Sequence, residues 1–82
     1  MKITSPEALA LTLKNTRQAQ SLTQQSAADL VGVKQATISA FENHPEKSRI
    51  ETLFKLLAAL DLELQVRQRD LPSEQTGWDQ EW

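Results

Sequence analysis

"LTQQSAADLVGVKQATISAFEN", residues 22 to 43, decides the fold. Its centre is Gly32, where one apolar-periodic run stops and another starts almost at once. Thr23 stands where a helix N-cap belongs, and Ala27, Ala28, Leu30 and Val31 are the apolar positions of a short helix. Gly32 ends that helix, because a residue able to take positive φ lets the chain turn back on the last carbonyls. The following helix is predicted from about Lys34 to Glu42, with Ile38 and Phe41 sharing one face at a spacing of three.

The opposite face of that helix carries Lys34, Gln35, Ala36, Ser39 and Ala40, with Thr37 at its flank. A plain helical hairpin facing water explains the polarity but not the small residues, since serine and threonine are mediocre helix formers. Two short helices around a tight glycine turn are the helix-turn-helix arrangement. Ala28, four residues before the glycine, fits it, because the crossing of the two helices leaves room only for a small side chain. Small outward residues let the helix sit deep in a major groove about 12 Å wide.

The predicted base contacts are Lys34, Gln35, Ala36 and Ser39. The Gln35 amide can pair with N6 and N7 of adenine, Ala36 can touch a thymine methyl, and Ser39 can donate to a base or a phosphate. Lys34 reaches a phosphate, or guanine on an oblique approach. Thr23, Gln24, Thr37 and Asn43 are the expected backbone-phosphate contacts.

Outward from this centre, Ser5-Pro6-Glu7 reads as a helix start, and the first helix is expected to run through Ala8, Leu9, Leu11 and Leu13 to about Ala19. Asn43-His44-Pro45 breaks the chain after the reading helix. Ser48-Arg49-Ile50-Glu51 has the spacing of a capping box, and a fourth helix follows with Ile50, Leu53, Phe54, Leu56, Leu57 and Leu60 as its core face. Leu62 to Gln68 then alternates apolar and polar, the strand period. No other segment alternates, so its natural partner is the same strand of a second copy, with Leu62, Leu64 and Val66 in the contact. The alternative is coil packed on the fourth helix. Beyond Leu71-Pro72 the residues are polar, acidic and aperiodic, as in a disordered tail.

The expected organisation is thus a DNA-binding domain over residues 1–61, a dimerisation strand over 62–69 and an acidic tail over 70–82. Eighty-two residues allow one domain and one modest core. The net charge of −2 conceals an asymmetry. Up to Arg49 bases outnumber acids, whereas acids dominate from Ile50 onward, so the total does not exclude DNA. No stretch has signal-peptide form or approaches a membrane span, and a cytoplasmic location is expected.

The chain lacks the parts of an enzyme. It has no cysteine, only two glycines and a single histidine beside a proline, and no carboxylates paired in an apolar setting. No cofactor or metal is implied.

Residues 9 to 62 resemble the lambda-repressor-like, Cro-type helix-turn-helix family, through the opening stretch and the later "IETLFKLLAALDLEL". Ala28, Gly32, Ile38 and Phe41 match its pattern. Within that family the chain looks like the HipB-type antitoxins, by "VKQATIS", "FEN" with a proline-containing loop, the short β segment and the terminal "EW". The resemblance implies a mainly α domain of four to five helices, with one short C-terminal β-strand pairing across a homodimer. It implies double-stranded operator DNA as one partner, bound at palindromes to repress the protein's own operon. The other partner implied is a HipA-type kinase toxin, which takes the tail into a pocket through Trp82, with Trp78 a neighbouring candidate. A tryptophan folded back on the protein's own surface is the plainer alternative for either. A stand-alone regulator, or the controller of a restriction-modification operon, would share the DNA chemistry without a toxin.

Overall fold

The computed structural model describes residues 2–69. They form four α-helices: α1 (Pro6–Ala19), α2 (Gln24–Val31), α3 (Gln35–Asn43) and α4 (Ile50–Ala59), with a single 3-10 turn, Pro45–Lys47, between the last two.

The helix starts follow local chemistry. Ser5 Oγ accepts the Ala8 N–H at 3.1 Å, and Pro6 opens α1. Thr23 caps α2 reciprocally with Ser26: the threonine hydroxyl accepts the Ser26 N–H at 3.0 Å, and Ser26 Oγ accepts the Thr23 N–H at 2.8 Å. The capping box expected at Ser48 and Glu51 does not form. Arg49 is the N-cap of α4 and makes no side-chain cap bond. Ser48 therefore lies one residue too early, and Glu51, at the second helical position, lies 3.6 Å from Lys55 Nζ instead.

Three left-handed residues end helices. Gly32 has φ 71°, and the Val33 N–H returns to the Ala28 carbonyl at 3.1 Å. A Cβ on Gly32 would meet nothing within 4 Å, so the backbone conformation alone favours glycine there. Ser21 (φ 62°) and Asp61 (φ 59°) do the same for α1 and α4. The Leu22 N–H reaches Arg17 O at 3.0 Å and the Leu62 N–H reaches Leu57 O at 2.8 Å. These are Schellman closures without glycine, which is why the sequence does not announce them.

Ala27 and Ala28 are fully buried, so α2 lies against both α3 and α4. Ile38 and Phe41 enter the same core as Ala10, Leu13, Leu53, Leu56, Leu57 and Leu60. The Gln20 amide donates to Leu60 O at 2.9 Å and ties the ends of α1 and α4 together.

Four large apolar residues of the helices are exposed. Ile50 and Phe54, predicted on the core face of α4, are 68% and 51% exposed. The buried stripe is Leu53, Leu56, Leu57 and Leu60, spaced i, i+3, i+4, i+7, and the other two lie off it. Leu30 of α2 and Leu11 of α1 are exposed for the same reason. Residues 62–69 carry no regular secondary structure in the single chain. A strand is defined by its ladder partner, and one copy does not supply it.

Candidate nucleic-acid interface

Because Ile38 and Phe41 anchor α3 inward, its other side is turned out. Lys34, Gln35, Ala36 and Ala40 are exposed, while Thr37 and Ser39 are half-buried at the edges of that surface. Of the four predicted base-contacting residues, Lys34, Gln35 and Ala36 are thus exposed at the start of α3, and Ser39 is half-buried one turn further on. Lys34 is the N-cap of α3 and makes no side-chain cap bond, so the helix start is left open to an outside acceptor. The Asn43 amide donates to Ser39 Oγ at 3.3 Å, linking a predicted phosphate contact to a predicted base contact.

The starts of α2 and α3 meet at a shallow depression lined by Leu22, Thr23, Gln24, Gln25 and Gln35. There the Gln35 amide donates to Gln24 Oε1. Gln24 in turn donates to Glu42 Oε1 at 2.9 Å. Thr23 lies at the rim with its hydroxyl already engaged by Ser26.

Beneath this surface is a pair the sequence did not suggest. Arg17 Nε donates to Glu42 Oε2 at 2.7 Å and Nη2 donates to Oε1 at 3.1 Å, while Nη1 donates to Leu22 O at 2.7 Å. The two side chains are only 8% and 2% exposed. Such a pair is held by full hydrogen bonding rather than by charge attraction alone. Among the described residues no buried side-chain nitrogen or oxygen lacks a partner.

On the other side of α3, Ala36, Thr37 and Ala40 border a second depression with Lys47, Ser48, Arg49 and Thr52. Sequence reasoning counted Lys47 and Arg49 only as charges. Their place beside α3 depends on the fold of the Pro45–Lys47 turn, and the only signal was a pair of bases soon after the helix ends. Thr52 gave none.

The residues expected in a dimer contact are uncovered in the single chain. Leu62, Leu64 and Val66 are 38%, 47% and 91% exposed. Leu64 lines an apolar cleft with Ile3, Leu9, Phe41, Ile50 and Leu53. Trp78 and Trp82 lie outside the described residues. No helix among the described residues is long and apolar enough to cross a membrane.

A short helix, a left-handed turn and a second helix with an outward polar face define a helix-turn-helix module. The family model described as "Helix-turn-helix" matches residues 13–66. Antitoxin HipB of Escherichia coli strain K12 is 46% identical over 63 residues, spanning 77% of this chain and 72% of that protein. Antitoxin HipB of Escherichia coli O6:H1 has the same identity over 63 residues and is covered over 67% of its length. Among solved structures, the "Structure of HipA-HipB-O2-O3 complex" and the "HipB-O4 20mer complex" each match at a TM-score of 0.83 and 41% identity, over 85% of this chain and 99% of theirs. The chain belongs to the helix-turn-helix family, in its branch of HipB-type antitoxins.

Proposed function

We propose that this chain is a sequence-specific DNA-binding repressor and the antitoxin of a HipA-type kinase toxin. It acts as a homodimer on palindromic operators and represses its own operon. The observation that carries this reading is the outward face of α3, where exposed Lys34, Gln35 and Ala36 lie between an amide-lined and a basic depression. The likeness to HipB chains solved with operators and with HipA supports both partners.

Lys34, Gln35, Ala36 and Ser39 contact base edges, and Thr23, Gln24, Thr37 and Asn43 contact the phosphates on either side. Lys47 and Arg49 extend the phosphate contacts past the end of α3. Leu62, Leu64 and Val66 form the strand that pairs with its copy, giving the two-fold symmetry a palindrome requires. Trp82, with Trp78, anchors the tail on the toxin, since a single large aromatic group supplies much buried area at one point.

Co-purification with the product of the neighbouring gene, followed by footprinting of the shared promoter, tests the reading. A captured kinase and a two-fold symmetric footprint are expected. A footprint without any captured partner makes the chain a stand-alone regulator, and no footprint removes the DNA role.

A further inference from the structure

We infer that the buried Glu42 carboxylate determines which base Gln35 reads, by setting the polarity of two amides in series. The inference deepens the DNA-reading role proposed above and rests on it.

A carboxylate can only accept hydrogen bonds. Both oxygens of Glu42 accept from Arg17, and its side chain is 2% exposed. The Gln24 amide that reaches Glu42 Oε1 must therefore present its NH2 group, at 2.9 Å. Its carbonyl is then turned the other way, toward Gln35, and it can only accept. Gln35 meets it with an N–H, as the structure has it. Reversing either amide would face an oxygen with an oxygen, at a site backed by a buried negative charge.

The outer end of the relay decides specificity. One N–H of Gln35 is used on Gln24, leaving one N–H and the carbonyl Oε1 for the groove. Adenine offers a donor at N6 and an acceptor at N7, which this pair of groups complements. Guanine offers two acceptors, O6 and N7, so the fixed carbonyl meets O6 with no hydrogen between them. A free glutamine could turn its NH2 group toward guanine. A glutamine coupled to Glu42 cannot do so without breaking the relay. Glu42 and, behind it, Arg17 are positioning residues for a base neither can touch.

The test compares four proteins on one probe, a pool of DNA duplexes with a randomised interior, selected at fixed salt and sequenced. Gln35→Ala locates the base position that Gln35 reads. At that position the parent is expected to prefer adenine over guanine by roughly tenfold or more. In Gln24→Met and Glu42→Gln that preference falls to within about threefold, while preferences elsewhere in the site persist. General unfolding would lower them all. Gln24→Met leaves both contacts between Arg17 and Glu42 in place, so it decides the matter if Glu42→Gln does not fold. Full adenine preference in Gln24→Met, or a parent that prefers guanine, overturns the relay while leaving base reading intact. If Gln35→Ala changes no position, base reading by Gln35 fails and the relay fails with it.

Discussion

Arg17 of α1 and Glu42 of α3 stand 25 positions apart and meet through two hydrogen bonds, Nε to Oε2 at 2.7 Å and Nη2 to Oε1 at 3.1 Å. The pair ties α1 to the end of α3. Its partner groups are so fully used that losing one leaves a buried charge without compensation. Arg17→Met should therefore destabilise the fold by about 3–5 kcal/mol, read from urea unfolding. Adding Glu42→Leu to that variant should recover most of the loss, because an apolar pair no longer has a charge to desolvate. If the double variant is no more stable than the single one, charge burial is not the dominant cost.

Gln35 and Lys34 are adjacent at the start of α3, yet their variants should behave differently. Gln35→Ala is expected to weaken operator binding by about 1–3 kcal/mol and relax the preference at one base position. Lys34→Ala distinguishes the two contacts open to Lys34: loss of a base contact relaxes a preference for guanine, whereas loss of a phosphate contact weakens binding to all sequences and reduces the salt slope by about one. Binding titrations across salt concentrations separate the two.

The turn between α2 and α3 depends on backbone conformation alone. A Cβ at Gly32 meets nothing within 4 Å, but φ is 71°. Gly32→Ala should cost about 1–2 kcal/mol, and Gly32→Asn less, since asparagine tolerates the left-handed region. Thermal unfolding of the two variants gives the order. Equal losses would point to a steric cause that the open space around Gly32 argues against.

Val66 is 91% exposed in the single chain and lies at the strand period from Leu62 and Leu64, which are also exposed, so the three form the apolar side of the proposed pairing strand. Val66→Asp should shift the protein from dimer toward monomer in sedimentation. An unchanged dimer would take residues 62–69 out of the interface and leave exposed Ile50 and Phe54 as the candidates.

Deleting residues 72–82 should leave operator binding nearly intact while weakening capture of the kinase toxin, and Trp82→Ala should reproduce most of that loss. Toxin affinity unchanged by the deletion would remove the tail from the contact.

Local chemistry by itself determined the helices around the turn. Ser5 and Thr23 act as caps, Gly32 takes positive φ, and Ala28, Ile38 and Phe41 are buried, because each depends on neighbours within one or two turns of the chain. That periodicity also turned Lys34, Gln35 and Ala36 outward. Tertiary structure alone decided the rest. Which apolar residues of α4 are core depends on which side of it the other helices pack against, and Ile50 and Phe54 are left outside. The link from Gln24 to Glu42 spans 18 positions and that from Arg17 to Glu42 spans 25, so no local pattern records either. Lys47 and Arg49 reach the flank of α3 only through the fold of the turn between them and Asn43. A hydrogen-bond relay requires its members to be within about 3 Å, and only packing brings residues so far apart in the chain that close.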